Sequence, residues 1–217
     1  MMARAPHRNT MIVAHDVPGL HRLFDGDRLR LAVYLFASTV LFASLLLAFL
    51  LHLRTTPSLF AVASRSLHAE LAGAGGLALA AGALALSGAE RAVHRQRLAR
   101  GLVLTALLMG LLFIACRALE GYMEYRAGLL PIPGQPFAYE GPRPHQALQF
   151  FHFHHLLAAL HLLFMVPALL ALLPALAARA NPQRAATRVK LAAGYWAPVI
   201  LAWAACYPAF YLLDPVW

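Results

Sequence analysis

Five stretches of this chain run for about twenty residues or more with almost no charge, near positions 31–53, 71–89, 101–122, 147–178 and 191–213. Crossing the roughly 30 Å hydrocarbon core of a bilayer takes about 20 apolar residues in a helix. Inside lipid only helices and closed barrels satisfy their own backbone hydrogen bonds. Four of the five stretches hold no Asp, Glu, Lys or Arg, and the third holds only Arg117 and Glu120. The expected fold is therefore an all-α integral membrane protein with five transmembrane helices. A composition that is 61% hydrophobic and 12% charged excludes an ordinary soluble globule. The fourth stretch is longer than one crossing needs, so it should tilt or project from the membrane, and Pro167 and Pro174 sit where they can kink it.

The placement of basic residues predicts direction. Arg4, Arg8, Arg22, Arg28 and Arg30 precede the first span; Arg91, Arg95, Arg97 and Arg100 follow the second; Arg179, Arg184, Arg188 and Lys190 follow the fourth. Only Arg54, Arg65, Arg126 and Arg143 fall on the other side. The positive-inside rule then puts the N-terminus in the cytoplasm and the C-terminus outside. The net charge of +9 is thus membrane sidedness and does not signal nucleic acid. Residues 1–28, where His7, Arg8, His15 and Asp16 interrupt short apolar runs, lack the apolar core of a signal peptide and read as a cytoplasmic tail ahead of a membrane domain at 29–217. Richness in Ala, Leu and Arg suits a bacterial cell (inner) membrane protein, multi-pass. Cys116 and Cys206 form no Cys-x-x-Cys pair and read as packing residues.

The last span carries the most specific pattern, Tyr195-Trp196-x-x-Val199-x-x-x-Trp203-x-x-x-Tyr207-x-x-x-Tyr211. Aromatics at four-residue steps make a ridge along one helix side. Interfacial belts explain Tyr195 and Tyr211, which lie roughly 24 Å apart, but leave Trp203 and Tyr207 at intermediate depth. The ridge reads as a packing surface for another helix. The second span offers small residues at Ala72, Gly76 and Ala80, and again at Gly75, Gly82 and Ala89, the spacing that lets helix backbones approach in lipid.

This ridge resembles the final helix of cytochrome c oxidase subunit III, whose pattern is Tyr-Trp-His-Phe-Val-Asp-x-x-Trp-x-x-x-Tyr/Phe-x-x-x-Tyr. Six positions match in register, while Ala197 and Ile200 stand where that family has His and Asp. Gly110, Phe113 and Glu120 match its third-span pattern, with Arg117 in place of Gln and Gly121 in place of Tyr. In the first span Phe36–Phe42 resembles a segment whose membrane Glu is Thr39 here. Five helices correspond to the shorter form of the family, which includes the subunit-III-like accessory protein of nitric oxide reductase systems. The resemblance implies a non-catalytic structural or accessory subunit of a haem-copper-type terminal oxidase or nitric oxide reductase. Such a subunit carries no cofactor itself, the haem and copper residing in catalytic subunit I, its partner. It binds membrane lipids and supports turnover stability and proton supply. On this chain the subunit- or lipid-packing surface would be Tyr195, Trp196, Trp203 and Tyr207, with Arg117 and Glu120 fixing the third helix. His15, His21, Asp25, Asp27, Glu90 and His94 could serve as cytoplasmic proton-collecting groups, although solvated polar residues beside span ends are the simpler explanation of them.

Arg117, Glu120 and Glu124 share one helix face. Arg117 lies 17 residues, roughly 25 Å, from Arg100, so the triad is expected as an ion pair at the headgroup level. Histidines are dense around the fourth span: His145, His152, His154, His155 and His161, with His52 and His68 flanking the first outer loop. Depth places them near the outer interface, which disfavours a mid-membrane haem but allows a metal site. The family's His-x-x-His aligns on Ala158–His161 or on His152–His155, and both registers remain open. The competing reading is accordingly a metal- or haem-binding membrane protein using His52, His152, His155 and His161. No nucleophile–base arrangement, Gly-rich phosphate loop or broken helix points to an enzyme or transporter.

Overall fold

The computed structural model describes residues 26–177 and 182–213. Among them the chain is helical with no strand: α1 Gly26–Thr55, α2 Pro57–Ser64, α3 Ala69–Arg91, α4 Gln96–Arg126, α5 Pro144–Ala177 and α6 Pro182–Tyr211. Five of these, all but α2, are long and apolar enough to cross a membrane, as the charge-free stretches require. The helices overrun the apolar stretches, since backbone hydrogen bonding continues into the flanking polar residues. The tail 1–25, Arg179 and the C-terminal Asp214–Trp217 lie outside the described residues, and with them most of the expected cytoplasmic tail.

Why these helices pack is visible in the spacing of what they bury. On α4 the buried residues are Ala99, Val103, Ala106, Gly110, Phe113, Arg117, Glu120 and Glu124. On α6 they include Val189, Ala192, Trp196, Val199, Trp203, Cys206 and Phe210. Steps of three and four alternate without a break, the seven-residue period of helices that run side by side. A similar seam runs along α3 and α5. The helices close a ring in which α6 packs on α1, α3 and α5, while α4 lies between α3 and α5, and α1 leans on α5 and α6.

The closest approaches use glycine. A Cβ added to Gly82 would clash with the edge of the Trp196 ring, and one on Gly76 would clash with the Trp203 indole nitrogen. The Trp196 indole N–H donates to the Leu79 carbonyl at 3.0 Å. The aromatic ridge of α6 therefore lies in notches of the small-residue α3. The same helix meets α4 on another face, where Gly75 touches Phe113 and Cys116. Trp196 is 1% exposed and Trp203 6%. These two are consumed within the chain, which corrects their expected place on a surface facing a second subunit or lipid. Tyr195 and Tyr207 are half-buried.

At the junction of α1 with α5 and α6, the Tyr34 hydroxyl lies 2.9 Å from the Phe164 carbonyl and 2.8 Å from the Tyr195 carbonyl. Each acceptor stands three residues before a proline, Pro167 in α5 and Pro198 in α6. Proline removes the donor to the carbonyl four residues back and loosens that turn, and the Tyr34 hydroxyl bonds the next carbonyl in each loosened turn. The hydroxyl has one proton, so the two carbonyls share it. At the end of the bundle rich in basic residues, Arg188 pairs with Asp27 at 2.8 Å and Lys190 with Glu90 at 3.4 Å. Two of the expected proton-collecting carboxylates are thus ion-paired. His94 is exposed, while His15, His21 and Asp25 lie outside the described residues.

The stretch expected as the first outer loop contains α2. Its Phe60 packs on Phe49 of α1 and Phe150 of α5, with ring centroids 5.5 and 5.4 Å away.

Filling a notch should cost more than filling open space. Gly82→Val is expected to lose about 1–3 kcal/mol by overpacking. Gly121→Ala has nothing within 4 Å of the new methyl and should gain about 0.5–1 kcal/mol of helix preference. Thermal unfolding of both variants in one detergent measures the difference.

Candidate functional site

Helix α4 ends in a Schellman turn. Gly128 adopts φ +68°, its N–H reaching the Tyr125 carbonyl at 3.1 Å and the Leu129 N–H reaching the Glu124 carbonyl at 2.9 Å. A side chain at Gly128 would also strike the Ala138 methyl at 2.7 Å. This turn fixes the last turn of α4 and so aims Glu124 at α5.

Along the α4 seam the apolar residues give way to charge. Arg117 is 6% exposed, Glu120 0% and Glu124 2%. The expected pairing of Arg117 with Glu120 is present, and the three residues face into the bundle, continuing the inward stripe of Gly110 and Phe113. Arg117 forms a salt bridge with Glu120 one turn on and donates from the same terminal nitrogen to the Tyr211 hydroxyl at 2.8 Å. Tyr211 donates in turn to Glu120 Oε1 at 2.6 Å. The guanidinium carbon stands 5.3 Å from the centre of the Trp203 ring, a cation–π contact strengthened by exclusion of water. Trp203 therefore seals the charged cluster on the side facing the apolar bundle.

Beyond Glu120 the network passes to α5. His154 Nε2 lies 3.1 Å from Glu124 Oε1 and 4.0 Å from Glu120 Oε1. His155 Nε2 lies 2.8 Å from the other oxygen, Glu124 Oε2. The potential ligand atoms of Glu124, His154 and His155 all lie within 4.8 Å of one another. His155 also lines an open cleft of about 700 Å³, with His52 and His152 on its walls.

The histidines proposed together as ligands do not form one set. His152 is exposed, its Nδ1 on the Leu148 carbonyl at 2.8 Å. His161 is buried further along α5, its Nδ1 donating to the Leu157 carbonyl at 2.8 Å. The ring of His161 packs on Phe42 and Trp203, with centroids 4.5 and 5.5 Å away, and its Nε2 has no hydrogen-bond partner. Of His52, His152, His155 and His161, only His155 belongs to the compact cluster, and it does so with His154 and Glu124. The signal that finds this grouping is periodicity: steps of three and four from Ala147 lead through Phe150 to His154, Leu157 and His161.

Chemically, the site is a water-poor enclosure holding two carboxylates, one guanidinium, a phenol and two imidazoles. It is accessible from the cleft through His155 and closed at the other end by Trp203. Comparison of the sequence with protein-family models and with curated proteins finds no match.

Leaving one buried charge without its partner is worse than removing both. Arg117→Met alone is expected to cost about 3–5 kcal/mol, and the double variant Arg117→Met with Glu120→Gln less than that. Tyr211→Phe, which removes only a hydroxyl, should cost about 1.5–3 kcal/mol. A double-mutant cycle of thermal unfolding in detergent checks the order.

Proposed function

We propose that this chain is a non-catalytic accessory subunit of a respiratory haem-copper-type enzyme, a terminal oxidase or a nitric oxide reductase, in a bacterial inner membrane. One observation carries the reading. The positions that match the subunit III pattern on α4 and on α6, far apart in sequence, meet as pairs in space. Tyr211 bonds Glu120 at 2.6 Å, Trp203 packs edge-on to Phe113 at 5.6 Å between centroids, and a Cβ on Gly110 would meet the Trp196 ring at 2.9 Å. These contacts support the reading by giving the matched positions one shared packing role in this chain.

In this reading haem and copper belong to the catalytic partner, and the chain contributes packing, lipid binding and support of turnover. Because the ridge is internal, the partner-facing surface falls to outward apolar residues such as Leu77 and Leu84 on α3 and Phe36 on α1, each more than two-thirds exposed. The departures at Thr39, Ala197 and Ile200, where the family has Glu, His and Asp, point to a divergent member in which the membrane carboxylate role is absent or relocated.

Extraction from native membranes in a gentle detergent should yield the chain in stoichiometric association with a larger subunit that shows haem absorption. Native mass spectrometry that finds only monomer or homo-oligomer would remove this function. The basic-residue distribution further predicts that reporter fusions at the 92–95 connection are cytoplasmic and those in the 127–143 connection are external. The reverse pattern would invert the proposed orientation.

A further inference from the structure

We infer that Glu124, His154 and His155 form a binding site for a divalent cation of the zinc class. This inference does not rest on the subunit reading.

The first support is charge. Glu120 and Glu124 bring two carboxylates into the enclosure, and Arg117 supplies the one guanidinium, all three buried. An unbalanced negative charge away from water is costly, and the site calls for a further cation.

The second is the tautomer of His155. Its Nδ1 lies 2.7 Å from the Phe151 carbonyl. A carbonyl only accepts, so Nδ1 carries the proton and Nε2 of the neutral ring presents a lone pair. That lone pair lies 2.8 Å from a carboxylate oxygen, and Nε2 is buried without a hydrogen-bond partner. Two electron-rich atoms this close need a positive centre between them. A proton on Nε2 would sit best on the line joining the two atoms, whereas the Glu124 oxygen is not placed to accept such a hydrogen bond. Two ligands converging on one ion meet instead at an angle. With metal–ligand bonds of about 2.0–2.2 Å, neighbouring ligand atoms of a tetrahedral site stand about 3.3–3.6 Å apart. The two Glu124 oxygens stand a little inside that edge, Oε1 3.1 Å from His154 and Oε2 2.8 Å from His155, so an ion would spread these contacts slightly.

Two imidazoles and one carboxylate are the ligand set of many three-residue zinc sites that keep a fourth position for water. The surroundings have the features such a site requires. The Phe151 carbonyl orients His155, the Schellman turn anchors Glu124, and the cleft bounded by His52 and His152 gives an ion a way in. Zinc has no geometric preference from its d-electrons and tolerates the small adjustment that the cluster needs.

The test uses the full chain in detergent, stripped with EDTA and then equilibrated with Zn2+ or Co2+ alone. About one equivalent should be retained per chain, Co2+ should give ligand-field absorption, and Zn2+ should raise the unfolding temperature. Glu124→Gln, which keeps the size of the side chain, and His155→Ala should each weaken binding at least about tenfold. His152→Ala, on the cleft wall but outside the cluster, should bind as the wild type does. Because the Zn2+ thermal shift is read on the wild-type chain, poor folding of a variant does not decide the outcome. No retention of either metal would mean that a proton on His155 balances the charge, and the inference would be overturned. Retention that survives Glu124→Gln but is lost in His152→Ala would place the ion on surface histidines and equally overturn it.

Discussion

Lipid tails are as apolar as leucine, so burying leucine against leucine gains little inside a membrane, and helices associate through contact quality instead. In this chain that quality comes from tryptophan lying in glycine notches. Gly76 and Gly82 have no side chain to hold α6 away, and Trp203 and Trp196 fill the space with large flat rings. The indole N–H of Trp196 adds a bond to the α3 backbone that lipid cannot supply. Every other feature depends on this seam, because α6 also positions Tyr211 over the α4 charges and presents the Tyr195 carbonyl to α1.

The charged network is tolerable for the same reason. Arg117, Glu120 and Glu124 would be expensive facing hydrocarbon. Within the seam they have Tyr211, His154 and His155 around them and Trp203 as a lid. Low polarity strengthens each of these bonds and raises the cost of any missing partner. The cluster holds the ends of α4, α5 and α6 in one arrangement.

Much of the fold was legible in the sequence because lipid imposes simple rules of length and charge, and five long apolar stretches, four of them free of charge, leave little room for another architecture. The site was less legible. Depth along α4, counted from Arg100, located Arg117 correctly near one end of the helix but did not reveal which way the side chain points. Direction was encoded elsewhere, in the three-and-four spacing that carries Gly110 and Phe113 on to Arg117, Glu120 and Glu124. The same spacing separates His154 and His161, inside, from His152, outside. Counting histidines concealed that distinction. The aromatic ridge was recognised as a helix-packing surface, but its partner was sought in another subunit when the small residues of α3 already offered one. The helix α2 gave no periodic signal, being only eight residues long, and its burial under α5 follows from tertiary contacts alone.

The Tyr34 hydroxyl sets an order of assembly. Its two acceptors lie 130 and 161 residues further along the chain, on α5 and α6, which are synthesised well after it. The hairpin of α3 and α4 joins neighbours and can close as soon as both are inserted, whereas α1 meets only the short α2 until α5 and α6 arrive. Helix α1 is therefore made well before the helices it packs on, and it waits for them with an unpaired hydroxyl. A chain cut short before α6 would leave α1 adrift, its polar group available to any passing quality-control factor that recognises an orphaned span.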